Sequence, residues 1–230
     1  MKNIMKTLIL LLTAGALSVS AAKNTFTVNA VIPDDDPNGL QNTQTISGYD
    51  PILTDIAVSL KISALNPGTD YAYNGDFFAT LLHESGYAVL LNRVGVTSDN
   101  AFGYSDSGLD ITFTLTGSDI HAYRDQSYST GSNGELLGNW GVDGRNVDPD
   151  SVDNTDPRTA MLDSFAGLNP NGEWTLFVAD VYGGNAAGKL DSWSLDLQAV
   201  PEPSGAALIG VAAAFFWIIR RHNLRFIGRI

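Results

Sequence analysis

The sequence predicts an all-β sandwich or jelly roll, and three observations predict it. Apolar residues alternate with polar ones at period two in several short segments. The connectors between those segments are built from Gly, Pro, Asn and Asp, the residues that turns require. No long stretch carries the 3.6-residue periodicity of an amphipathic helix.

Taken in chain order, Phe26, Val28 and Ala30 predict an opening strand. Ile56, Val58, Leu60 and Ile62 alternate with Ala57, Ser59 and Lys61, which places one face inward and one outward. The runs Phe77 to Leu82 and Trp174 to Asp180 are denser in apolar residues, as in strands covered on both faces. Ile111, Phe113 and Leu115 repeat the alternation against threonines, and Trp193, Leu195, Leu197 and Ala199 repeat it near the end. Asn66-Pro67-Gly68, Asn74-Gly75-Asp76, Glu84-Ser85-Gly86, Asn169-Pro170-Asn171-Gly172 and Tyr182-Gly183-Gly184-Asn185 read as turns. Thr159 to Phe165 reads as one or two helical turns, and the Gly-, Asn- and Asp-rich segment from Ser127 to Asp156 as a long surface loop.

The two ends differ from this middle. Residues 1–22 have the form of a secretory signal peptide: Lys2 and Lys6, an apolar run from Leu8 to Leu17, then small residues at Ser20-Ala21-Ala22 for a signal peptidase. At the other end, Val200-Pro201-Glu202-Pro203-Ser204 precedes an apolar stretch from Gly205 to Ile219 and a basic end with Arg220, Arg221, Arg225 and Arg229. As a helix those 15 apolar residues would reach about 22 Å at 1.5 Å per residue, short for a bilayer core of roughly 30 Å. Arginines on one flank orient such a segment with that flank cytoplasmic. The tail, residues 200–230, resembles the PEP-CTERM sorting signal of Gram-negative bacteria, with Pro201, Glu202, Pro203, Arg220 and Arg221 as its marks. The resemblance implies export, anchoring in the inner membrane through the helix at about 205–219, and processing by an exosortase-type enzyme to the cell surface or extracellular matrix. An ordinary single-span anchor is the alternative.

Between these ends, residues 23–199 form one domain's length of chain and hold seven basic against 24 acidic residues, a formal charge of −17. Nucleic acid needs a basic footprint, so it is excluded as a partner. Divalent cations suit such a surface. The chain has no cysteine, which excludes disulfides, thiolate metal sites and cysteine nucleophiles.

The middle region resembles the proprotein convertase P domain, also called the Homo B domain. The resemblance rests on Asn74-Gly75-Asp76 followed by Phe77-Phe78-Ala79-Thr80-Leu81-Leu82, on the strand Ile52 to Ile62, and on Gly86 to Leu91. Most specifically, Gly172-Glu173-Trp174-Thr175-Leu176-Phe177-Val178-Ala179-Asp180 is followed by Gly188-Lys189-Leu190-Asp191-Ser192-Trp193-Ser194-Leu195. His83-Glu84 departs from the Ser-Pro usual there. The resemblance spans about 25–198 and implies a jelly-roll-like antiparallel β-sandwich. P domains usually follow a subtilisin-like protease domain and help it fold.

The chemistry available is limited. A serine protease needs a serine, a histidine base and a carboxylate. His83 and His121 lie in no "HGT" context, no "GTS" or GxSxG serine motif occurs, and Ser105-Asp106-Ser107-Gly108 reads as a turn. Paired carboxylates for glycoside hydrolysis are the weaker alternative, and the expectation is a non-catalytic protein. P-domain structures carry Ca²⁺ in loops of this type, so the resemblance nominates Asp76 and Asp180 as ligands, with Asp106, Asp110 and Asp191 as further candidates. The run Asp148 to Asp156 is rich in oxygen ligands but matches no EF-hand, and reads, like Asp34-Asp35-Asp36-Pro37, as a turn-rich acidic loop. Trp140, in the Gly-rich loop, is nominated to stack on a sugar ring if exposed. Three functions therefore stand: a surface or matrix protein acting by binding or structural association, an accessory to a separate subtilisin-like protease, and a carbohydrate binder in an exopolysaccharide matrix.

Overall fold

The computed structural model describes residues 19–84, 86–184 and 188–202. Among the described residues ten strands form two sheets: β1 (Ser20–Ile32), β2 (Leu40–Ile46), β3 (Ile52–Ala64), β4 (Phe77–His83), β5 (Gly86–Asn92), β6 (Leu109–Phe113), β7 (Ser129–Thr130), β8 (Leu136–Trp140), β9 (Gly172–Asp180) and β10 (Gly188–Val200). The larger sheet runs β1-β10-β3-β6-β8-β7 and the smaller β2-β9-β4-β5. All pairs are antiparallel except β6–β8, which is parallel. The sandwich is therefore all-β and mostly antiparallel.

Alternation builds the core. Val58, Leu60 and Ile62 of β3 and Leu195 and Leu197 of β10 are buried, as are Ala79, Leu81, Leu176 and Val178 from the smaller sheet. Burying a side chain of this size stabilises by roughly 1.5–3 kcal/mol. Each buried tryptophan also finds an acceptor for its ring N–H. Trp174 Nε1 donates to the Pro170 carbonyl at 2.9 Å, and Trp193 Nε1 to Asn42 Oδ1 at 2.8 Å.

The His83-Glu84 departure has a structural reason. The His83 ring stacks on Trp174 with centroids 4.1 Å apart and planes 1° from parallel. Its two nitrogens face the Glu173 and Asn169 carbonyls at 2.8 and 2.7 Å. The histidine thus pins the 169–173 turn to the end of β4, and Glu84 turns the chain into β5 at φ +49°.

Two readings need correction, one is narrowed, and one strand went unforeseen. The segment 127–156 is not one long loop, because β7 and β8 lie in it and β8 extends the larger sheet by pairing with β6. Leu115 falls beyond the end of β6 and is 41% exposed. The helical segment is a single 3-10 turn, Leu162–Phe165. β2 has only two apolar residues in seven and gave no periodic signal.

β1 begins at Ser20, so Ser20, Ala21 and Ala22 pair with Ala199, Gln198 and Leu197. A cut after Ala22 would trim these three rungs and leave the rest of the β1–β10 ladder. Among the described residues no helix is long and apolar enough to cross a membrane. The remainder of the proposed signal peptide, Pro203, the apolar run 205–219, Arg220 and Arg221 lie outside the described residues.

Candidate cation-binding site

Asp76 closes a short 3-10 turn, Asn74–Asp76, immediately before β4. Asp180 is the last residue of β9. In the central ladder of the smaller sheet Phe77 pairs with Asp180. Val181 then donates its N–H to the Asp76 carbonyl at 2.9 Å. Strand pairing thus brings the two residues to one corner of the sandwich.

The corner is closed by backbone. Asp36 donates its N–H to the Asp180 carbonyl at 3.0 Å, and Gly75 donates to the Tyr104 carbonyl at 2.9 Å. Gly75 and Gly103 pass so closely that a Cβ on Gly75 would lie 2.3 Å from the Phe102 carbonyl oxygen. Gly103 also has φ +71°, which suits glycine.

Both carboxylates are buried, Asp76 at 4% exposure and Asp180 at 0%. Among the described residues no hydrogen bond reaches the Asp76 carboxylate. Asp180 Oδ1 accepts only a long bond from the Tyr182 N–H, 3.3 Å, and its Oδ2 is buried with no partner. Desolvation pushes the Asp76 carboxyl up to about 6, against the pull of Arg93. Desolvation, then the charge of Asp76, pushes Asp180 up to about 7. Arg93 itself is buried and spends its donors on the Gly75 and Ala101 carbonyls. Its guanidinium lies over the Tyr182 ring, 4.7 Å from the centroid.

Above Asp76 opens a groove of about 210 Å³, walled by Tyr73, Phe102, Tyr104, Tyr182 and Gly183. Phe102 is 64% exposed and meets Tyr182 edge-to-face at 5.6 Å. Asp35 lies against Gly183, adding acidic charge beside the groove.

The other nominated ligands do not join this corner. Asp106 accepts the Tyr123 hydroxyl at 2.6 Å and Arg124 Nε at 2.8 Å. Asp110 pairs with Lys61 at 2.7 Å, and Asp191 with Lys189 at 2.8 Å. Their cations are lysines and an arginine of the chain itself, and among the described residues none of the three converges with Asp76 and Asp180. Trp140 is corrected too. It is 5% exposed, lies 5.9 Å from the Tyr123 ring, and donates Nε1 to the Leu137 carbonyl at 3.1 Å. A ring packed in the core cannot stack on a sugar. The run 148–156 is a chain of turns: Asp148 accepts from Asp150 N–H, Asp153 from Ser98 and Thr155, and Asp156 from Asp153.

A calcium ion takes six to eight oxygens. Among the described residues no group of three or more His, Asp or Glu side chains converges to hold a metal. The unpartnered Oδ2 of Asp180 nevertheless suits a cation. Calcium here would take Asp76 and Asp180 together with backbone carbonyls and water.

His121 offers no general base. Its Nδ1 faces Asp143 Oδ2 at 2.7 Å and its Nε2 the Val96 carbonyl at 2.9 Å, and it is 1% exposed. Arg145 bridges Asp143 and Asp119. This buried network, which the sequence did not reveal, braces the turn after β8.

Comparison with known proteins agrees with part of the sequence resemblance. Residues 134–197 match the family model described as Proprotein convertase P-domain. The match covers β8 to β10 and includes Trp174, Asp180 and Trp193. It does not reach Asp76. Five chains of solved structures match, among them two serine-protease structures. One is the Aeromonas sobria serine protease in complex with its chaperone, at 16% identity and TM-score 0.44, over 81% of this chain and 27% of that one. The other is the serine protease of Aeromonas sobria, at 15% identity and TM-score 0.44, over 80% of this chain and 27% of that one. This chain therefore spans about a quarter of those proteins' length. A search of curated proteins finds no match.

Proposed function

We propose that this chain is an exported, non-catalytic P-domain-like module that acts by binding, through a cation taken at the Asp76–Asp180 corner. One observation carries the reading: two buried carboxylates stand together without hydrogen-bonded counter-ions beneath an open groove. Leaving a buried charge unpaired is costly, so a cation there gains the stabilisation that the fold forgoes. Calcium is the ion that the P-domain resemblance implies. Export rests on the signal-peptide pattern, and display at the surface on the PEP-CTERM-like tail. Both would be checked by mass spectrometry of the exported protein, which reads the two termini directly.

The match over 134–197 favours a second reading, in which the module assists a separately encoded subtilisin-like protease. Co-purification with such a protease from the native host would support it.

The cation reading is tested by thermal unfolding of the full chain at pH 7.5, with millimolar calcium, with a chelator, and with a capped arginine peptide. A ligand that binds only the folded state raises stability by about 2.7 kcal/mol at a hundredfold excess over its dissociation constant. The reading expects at least one cation to raise Tm by several degrees, and Asp180→Asn to remove the rise. Equal Tm under all conditions contradicts it.

A further inference from the structure

The groove above Asp76 has chemistry that a metal ion does not need. Four aromatic rings, Tyr73, Phe102, Tyr104 and Tyr182, wall it, and the Asp76 carboxylate, which receives no hydrogen bond among the described residues, lines it. Phe102 and Tyr182 are exposed and packed edge-to-face, so their rings meet solvent beside the acid. Aromatic faces attract organic cations and offer little to a hydrated metal. A calcium ion, in turn, takes six to eight oxygens, and no third acidic side chain converges here among the described residues. Within the corner Arg93 already stacks on Tyr182 and acts on Asp76 through its charge. With one guanidinium against two carboxylates, the corner keeps a net negative charge and has room for a second cation.

We infer that the groove binds the guanidinium of an arginine side chain from a basic partner segment, stacked against Phe102 and Tyr182 and hydrogen-bonded to Asp76. Arginine fits better than lysine because its planar head stacks on rings and offers paired N–H donors to one carboxylate. The remaining acidic surface, with Asp34 and Asp35 nearest, steers such a segment in. This inference rests on the cation reading above and specifies which cation.

The test is an NMR titration of the full chain with acetyl-Gly-Arg-Gly-amide, with the same peptide carrying neutral citrulline for arginine, and with calcium chloride. The inference expects saturable binding of the arginine peptide and at least about tenfold weaker binding of the citrulline peptide, the loss expected when a charge-assisted hydrogen bond is removed. Phe102→Ala, at an exposed position, should weaken the arginine peptide about threefold, as for a lost exposed cation–π contact. Asp76→Asn should weaken it more than tenfold without lowering Tm. Equal binding of the two peptides overturns the inference. Calcium binding that depends on Asp76, with no arginine binding, overturns it but leaves the cation reading standing. Binding of neither overturns both.

Discussion

The carboxylate of Asp180 stands close enough to that of Asp76 for the charge of one to raise the pKa of the other, although 104 positions separate them in the chain. The pairing of Phe77 with Asp180 and the bond from Val181 to the Asp76 carbonyl place them so. The corner is therefore fixed by the ladder that holds the smaller sheet together.

The raised pKa values set the sign of a pH effect. Asp76 and Asp180 bind protons in the folded state at about 6 and 7, against 3.8 for an ordinary aspartate. Between pH 4 and 7 the folded state thus holds more protons than the unfolded chain. Their contribution is present below pH 4 and is lost as pH rises through the folded values. Asp180→Asn should raise stability at pH 8 by roughly 1–3 kcal/mol, since each pKa unit corresponds to about 1.4 kcal/mol and the amide must still be buried. Below pH 4, where Asp180 is protonated in both the folded and the unfolded state, the variant should match the parent. Calorimetry at both pH values checks this.

His121 adds to the same trend. Burial opposes its charge, but the hydrogen bond and charge of Asp143 and the Val96 carbonyl outweigh that and raise its pKa. Its stabilisation is full below about 6.5, the ordinary histidine value, and is lost as pH rises through the folded value. Removing one partner of a buried pair typically costs about 3–5 kcal/mol. Asp143→Asn should therefore destabilise strongly at pH 6 and less at pH 9, as read by urea unfolding.

Gly75→Ala tests the groove's architecture. The new methyl would press on the Phe102 carbonyl at 2.3 Å, and overpacking of this kind typically costs about 1–3 kcal/mol. The loop 102–104 would move outward and carry Phe102 away from Tyr182. The expected result is a lower Tm together with lost binding in the groove, measured on the same sample.

Trp140→Ala separates core from surface. Truncating a buried tryptophan costs about 3–5 kcal/mol, so Tm should fall by many degrees. An unchanged Tm with lost glycan binding would restore Trp140 as a surface residue.

Much of this was legible in the sequence, and the failures have physical causes. Period-two alternation located β3, β6 and β10 because each has one face in the core, and dense apolar runs located β4 and β9. β2 gave no signal because an edge strand with Gln41, Thr43 and Thr45 facing outward has little to bury. β8 was hidden by Gly138 and Asn139, residues typical of loops, which a parallel partner in β6 holds extended. Asp76 and Asp180 were nominated by the P-domain resemblance, at turns where such structures carry Ca²⁺. Their partner charge Arg93 and the aromatic walls at 102–104 and 182 were not, since loop packing joins them and no spacing in sequence encodes it. Asp106, Asp110 and Asp191 resembled Asp76 in composition and turn context. Only the neighbours Arg124, Lys61 and Lys189 distinguish them.

Asp76 and Asp180 are buried without a hydrogen-bonded counter-ion, and carboxyl-carbon NMR titration of the full chain measures this most directly. The expected result is two coupled titrations well above the ordinary aspartate range, near 6 and 7, both moving down when a cation binds. Titration of both groups below about 4, the unperturbed aspartate value, would contradict it, because the corner would then already be neutralised and would have no need of a ligand.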